Sequence, residues 1–169
     1  MPTNATRRPR TVEPGTPRLA LSIQHDGAAD DCPADRRQLR RLVRAALDRD
    51  AALTLRLVGE TEGRALNAQF RGRDYATNVL TFTYDDDGET ADGDAPGVPV
   101  QADIVICLPV LAREAREQRK TLRDHLAHLI VHGVLHAQGM DHEDEAQAQA
   151  MEARETAVLR RFRIADPYR

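Results

Sequence analysis

Three histidines in the last third of the sequence have the spacing of a metal site. His132 and His136 are four residues apart, so in a helix both side chains lie on the same face. Gly139 can end that helix, and the chain can then turn back to bring His142 to the same point. Three neutral imidazoles with an open fourth position are typical of catalytic zinc. We predict one Zn²⁺ per chain, about 2.0–2.3 Å from each of the three nitrogens, with the open position available to activate water.

The other histidines are expected to have ordinary structural roles. His128 lies four residues before His132, but a set at 128, 132 and 136 would extend over about 12 Å of helix. Three successive turns cannot easily supply nitrogens about 2 Å from one ion. We therefore expect His128 to pack beside the site or to support a ligand. His125 lies off this face and His25 ends a predicted strand.

Gly133, directly after the first histidine, argues against peptidase activity. The three-histidine spacing coincides with the metzincin pattern H-E-x-x-H-x-x-G-x-x-H, in which the glutamate activates water. In this sequence glycine occupies the glutamate position. A metallopeptidase or another amidohydrolase using the same three histidines therefore remains an alternative, without its usual general base.

The periodicity of apolar residues predicts how these histidines are positioned. Alternation at Leu19, Leu21 and Ile23 predicts a half-buried strand, and the same signal recurs at 53–57. Further strands are predicted at 79–84 and 103–108, and helices are predicted after Asp35 and at 60–71, 109–118, 121–138 and 145–162. Thr121 is expected to cap the helix that contains the histidines. The prediction is a single α+β domain over 18–169, with a small mixed four-stranded sheet covered by helices.

Composition places the chain among globular proteins. It has 169 residues, 41% of them hydrophobic and 30% charged, and a net charge of −3. There is no apolar run of roughly 20 residues and no signal-peptide pattern, so we expect a cytoplasmic protein with no membrane partner. Two cysteines make a structural disulfide the less favoured interpretation. Residues 1–17 are rich in Thr, Pro and Arg and are predicted to be a disordered tail, and 85–97 an exposed connection.

Three collinear motifs resemble one family. The metal segment 132–142 is HGVLHAQGMDH, residues 66–82 are LNAQFRGRDYATNVLTF, and 103–107 and 114–118 are DIVIC and EAREQ. Together they are similar to the YbeY endoribonucleases, a family of bacterial rRNA-maturation proteins. The departures are small: Ala137 and Gln138 replace a usual apolar pair, Met140 a usual aromatic, Thr81 a usual Ser and Ala102 a usual Gly.

The resemblance implies a specific activity. It implies a zincin-like metal helix and a zinc-dependent, single-strand-selective endoribonuclease. The implied process is rRNA 3′-end maturation and ribosome quality control. The implied partners are single-stranded RNA or rRNA and the ribosome or its small subunit; DNA is not expected to be one. Whether water or the 2′-hydroxyl of the substrate attacks stays open.

The family's functional arginine falls on Arg71, where a guanidinium could stabilise charge on a phosphorane-like transition state. Without the resemblance, a surface salt bridge at a helix end would be the favoured interpretation. Thr77 and Asn78 are expected to shape the same cleft, or simply to form a turn. A non-catalytic ribosome-assembly factor with a structural metal is the remaining alternative, and a fourth protein ligand would favour it.

Overall fold

The structure is a computed structural model that describes residues 15–27, 31–84 and 98–169. Its elements, in chain order, are β1 (Leu19–His25), α1 (Arg36–Ala46), β2 (Ala51–Val58), α2 (Glu60–Arg71), β3 (Val79–Thr83), β4 (Val100–Cys107), α3 (Leu108–Glu117), α4 (Leu122–Ala137) and α5 (Glu145–Arg160). Most of the predicted tail and all of the predicted connection at 85–97 lie outside the described residues. The α+β class and the order of the predicted elements are confirmed.

The four strands form one mixed sheet in the order β1-β2-β4-β3. β1, β2 and β4 run parallel, whereas β3 pairs antiparallel with β4 at one edge. β4 begins three residues before its predicted start, since Val100 and Ala102 are buried and pair with β2. Cys107 ends β4 in the core, and both cysteine thiols are free.

Helix α4 is enclosed by the rest of the protein. Ten of its 16 residues are buried, and it contacts the sheet at β3 and β4 as well as α1, α3 and α5. As predicted, the Thr121 side chain caps its first turn by accepting a hydrogen bond from the Asp124 amide. Gly139 follows its end with a φ of +93°, a left-handed conformation that glycine adopts without strain. No helix in the described ranges is long and apolar enough to cross a membrane.

Gly133 brings α4 unusually close to the sheet. A Cβ atom at this position would lie 2.8 Å from the γ2 methyl of Ile104 on β4 and 3.4 Å from the hydroxyl of Thr81 on β3. The γ2 methyl is attached directly to the Cβ of a strand residue, so it cannot rotate away freely. Gly133, whose lack of a carboxylate is evidence against peptidase activity, therefore also allows the close packing of α4 on the sheet.

We expect Gly133→Ala to destabilise the protein by about 1 kcal/mol or more, because overpacking outweighs the helix propensity that alanine adds. Urea unfolding measures the change. Ile104→Leu removes the γ2 methyl, so the double variant should lose less stability than the two single variants together. Stability equal to the parent's in Gly133→Ala would contradict the close contact.

Candidate metal centre

The three predicted ligands converge at one point. His132 and His136 lie one turn apart on the side of α4 that is only half-buried, and their Nε2 atoms are 3.0 Å apart. His142, beyond Gly139, turns back so that its ring centroid lies 5.1 Å from that of His136. Each histidine offers one ligand nitrogen, and these three nitrogens all lie within 4.8 Å of one another. The separations suit nitrogens that share one ion at about 2 Å.

A buried carboxylate fixes the orientation of His132. Glu155 on α5 is fully buried, and its Oε1 is hydrogen-bonded to His132 Nδ1. Because an ionised carboxylate can only accept, Nδ1 must be the donor. The lone pair of His132 then lies on Nε2, the atom that faces His136. This tautomer is the one that a metal at the convergence point requires.

His136 is poorly suited to holding a second proton. Burial lowers the pKa of His136, and the neighbouring His132 and His142 lower it further, while a hydrogen bond with the Met140 backbone opposes the shift. His136 is therefore biased toward the neutral ring that metal coordination needs. The three imidazole nitrogens thus form a set of ligands that fits a zinc-like cation and would hold it.

His142 is the exposed member of the set. Its side chain is 59% exposed, and its Nδ1 lies 3.7 Å from the carboxylate of Asp141. That carboxylate also accepts a hydrogen bond from the His142 amide at 2.7 Å. Among the described residues, no fourth histidine, cysteine or carboxylate joins the three. Three ligands leave a coordination position for substrate or water, as in catalytic rather than structural zinc sites.

The remaining histidines lie outside the cluster. His128 Nε2 contacts Glu155 Oε2 at 3.2 Å, so His128 packs beside the site, in agreement with the prediction. His125 is buried and its Nε2 lies 2.8 Å from Glu114 on α3. Both carboxylate oxygens of Glu114 also accept hydrogen bonds from the side-chain amide nitrogen of Asn78. His25 is exposed at the end of β1.

A cleft of about 550 Å³ joins the histidine cluster to the end of α2. Arg71, Arg73 and Tyr75 line one side of it, β3 lines another, and Thr77 and Asn78 connect the two. Asn67, itself buried, donates a hydrogen bond of 2.6 Å to the Tyr75 carbonyl and so holds the loop after α2 in place. The structure thus brings the predicted Arg71, Thr77 and Asn78 into one cleft with the histidines.

Arg71 has no ion-pair partner among the residues that the structure describes. Other arginines nearby do: Arg64, on the same helix, is paired with Asp74 at 2.8 Å, and Arg113 with Glu60 at 3.2 Å. The salt bridge that was the alternative explanation for Arg71 is therefore not seen in the described part of the chain. None of the described carboxylates competes with a phosphate for its guanidinium.

Sequence reasoning missed two residues beside the site, Glu155 and Tyr168. The Tyr168 hydroxyl is hydrogen-bonded to Glu155 Oε2. Burial alone would raise the pKa of Glu155, but the hydrogen bonds that it accepts outweigh burial and lower the pKa to about 2. One signal was present: Glu155 lies on the buried face of α5, four residues after Met151 and three before Val158. A charge on an apolar stripe indicates a buried partner.

Comparisons with known proteins give one consistent result. The family profile described as Endoribonuclease YbeY matches residues 28–163. Proteins of that name from an Azoarcus species and from Methylibium petroleiphilum are 54% and 53% identical to this chain, covering 90% and 92% of it. The chain spans 60% of the Azoarcus protein but 97% of the Methylibium one. A protein of the same name from Bordetella pertussis is 57% identical over 160 residues, 89% of this chain and 96% of that protein.

A solved structure is similar as well. The solution structure of a Thermotoga maritima protein matches 85% of this chain and 91% of its own, at 25% identity and a TM-score of 0.51. The likeness extends across most of both chains, so the two proteins share a fold.

If the three histidines bind zinc, adding zinc to the metal-free protein should raise its melting temperature. The expected rise is about 5–10 °C when the free zinc concentration is 100 times the dissociation constant. His136→Ala should abolish most of that rise. His25→Ala, which removes an exposed histidine far from the cleft, should retain it. Thermal unfolding at several zinc concentrations makes the measurement. An equal rise in His136→Ala would show that zinc binds elsewhere.

Proposed function

The chain belongs to the Endoribonuclease YbeY family of RNA-cleaving hydrolases, and on that premise we propose that it is a zinc-dependent, single-strand-selective endoribonuclease. The observation that supports the metal dependence is the convergence of His132, His136 and His142 in a cleft shared with Arg71. A hydrolase acting on phosphodiesters needs positive charge where negative charge accumulates. A cation held by the three imidazoles would meet that need together with Arg71, which has no acidic partner among the described residues.

In the proposed mechanism each side chain has a distinct part. His132, His136 and His142 would hold one Zn²⁺. When bound, zinc supplies Lewis-acid chemistry, either polarising a phosphoryl oxygen or lowering the pKa of water. Arg71 would contact the scissile phosphate and stabilise its growing negative charge through charge-assisted hydrogen bonds. The cleft is compatible with attack by water or by the 2′-hydroxyl of the substrate.

An exposed aromatic side chain supports single-strand selectivity. Tyr75 lines the cleft and is 52% exposed, and its hydroxyl is hydrogen-bonded to Arg73 at 3.1 Å. Unpaired bases can stack on such a ring, whereas the bases of a duplex already stack on each other. Arg73 beside it adds positive charge for the backbone. An RNA strand entering along Tyr75 would reach Arg71 and the histidines.

Two alternatives have less support. A structural metal in a non-catalytic assembly factor would favour four protein ligands, and the described residues supply three. A peptidase would need a general base where Gly133 lies, and a side chain at that position would collide with Ile104. Neither alternative explains why Arg71 lines the cleft with no ion-pair partner in the described part of the chain.

We also propose that the substrate is ribosomal RNA, cut at the 3′ end of the small-subunit species, and that the protein acts in the cytoplasm on the ribosome or its small subunit. The support is the resemblance of the three motifs to the family.

The activity is tested on purified, zinc-loaded protein with single-stranded RNA, duplex RNA, single-stranded DNA and a peptide library. We expect internal cuts in single-stranded RNA that stop when zinc is chelated, and little action on the other substrates. Chelated protein reloaded with zinc is the control. Zinc-dependent peptide cleavage without RNA cleavage would overturn the proposal.

Replacing Arg71 with Ala should lower the single-turnover cleavage rate by roughly 10²-fold, equivalent to about 2.7 kcal/mol, if Arg71 stabilises the transition state. Lys should rescue only partly, because it keeps the charge but loses the planar fork. Arg64→Ala is the matched control, since Arg64 lies on the same helix but is paired with Asp74 outside the cleft. Zinc content should be unchanged in all three variants.

A different outcome would assign Arg71 a different role. If Arg71 only attracts the RNA backbone, Arg71→Ala should raise KM rather than slow the chemical step. The increase in KM should become smaller as the salt concentration rises, and Arg71→Lys should restore KM to the parent's value. Cleavage by Arg71→Ala at the parent's rate would remove Arg71 from the mechanism.

A further inference from the structure

Glu155 is a fully buried carboxylate directly behind the metal centre. It lies on α5 among Met151, Val158 and Leu159, where a charge is costly unless it is paired. Oε1 accepts from His132 Nδ1, and Oε2 contacts the Tyr168 hydroxyl. Both carboxylate oxygens thus accept hydrogen bonds: Oε1 from a histidine of the metal centre, and Oε2 from a tyrosine outside it.

The hydrogen-bond inventory fixes the donors in this network. His128 Nε2 lies 3.2 Å from both Glu155 Oε2 and the Tyr168 hydroxyl, whereas His128 Nδ1 is buried with no hydrogen-bond partner among the described residues. A buried lone pair is tolerated better than a buried N–H without an acceptor, so Nε2 bears the proton. With His132 and Tyr168 also donating, the carboxylate accepts from three groups that together fix its position.

The segment that follows α5 carries Tyr168 to this point. Lys120, before α4, donates a hydrogen bond of 3.0 Å to the Pro167 carbonyl, and the Tyr168 amide donates to Asp166. The Tyr168 ring packs edge-on against His128, with centroids 5.4 Å apart. The segment thus packs against α4 and α5 next to the histidine cluster, and Tyr168 is not among the residues that line the cleft.

We propose that Glu155 is a positioning residue of the metal centre and that Tyr168 holds Glu155 in place. Glu155 sets the His132 tautomer, so that Nε2 keeps a lone pair, and its negative charge makes that nitrogen a better donor to a cation. Carboxylates in this position commonly contribute 10–100-fold to metal affinity. The proposal rests on the three-histidine metal site proposed above. The effect of Glu155 on the His132 tautomer, however, does not require a bound metal.

Two isosteric variants test the proposal. Glu155→Gln keeps the shape but loses the charge, and Tyr168→Phe keeps the ring but loses the hydroxyl. We expect zinc affinity, measured by competition with a chromogenic chelator, to fall 10–100-fold in Glu155→Gln and by a smaller factor in Tyr168→Phe. Glu152→Gln, an exposed carboxylate on the same helix, is the matched control and should bind zinc like the parent.

A second readout uses the metal-free protein. Nitrogen-15 NMR of the imidazoles should show His132 protonated at Nδ1 in the parent and a mixture of tautomers in Glu155→Gln. A folded Glu155→Gln variant, judged by circular dichroism, with the parent's zinc affinity would overturn the proposal, and so would a parent His132 protonated at Nε2. Failure of the parent to bind zinc would instead refute the proposed metal site, while the tautomer measurement would still decide the role of Glu155.

Discussion

The close contact between α4 and the sheet is the constraint on which the candidate metal centre depends. The absence of a side chain at Gly133 lets α4 approach Ile104 closely, and His132 and His136 lie on the part of α4 that this contact positions. A larger residue would lift the helix and widen the cleft between the histidines and the edge strand. The same glycine removes the base that a peptidase would use, so one position determines both the packing and the available chemistry.

Two carboxylate–histidine pairs flank α4, and they act on different parts of the cleft. On one side Glu155 of α5 holds His132, a predicted metal ligand. On the other, Glu114 of α3 contacts His125 and accepts from Asn78, which lines the cleft next to β3. No hydrogen bond among the described residues joins the two pairs, so it is the rigid body of α4 that connects the metal side of the cleft to the loop that follows α2.

The sequence predicted those features that depend on local chemistry. Apolar alternation and the caps at Asp35 and Thr121 located the strands and helices, and the i, i+4 spacing located the histidine cluster. Features set by tertiary contacts were missed. Glu155 is 23 residues from His132, and nothing local identifies its partner. Phe70 is an apolar residue of α2, yet it is 54% exposed and packs against Phe82 of β3, with ring centroids 4.9 Å apart.

The unequal anchoring of the three histidines has a consequence for the lifetime of a bound ion. His132 and His136 lie on α4, most of whose residues are buried in the core, whereas His142 follows Gly139 on an exposed segment. Segments with few buried contacts open at much lower free energy than the core. An ion held this way would exchange stepwise, with release of His142 first. The rate of exchange would then follow the opening of this segment rather than global unfolding, so the domain could gain or lose its metal without ever losing its fold.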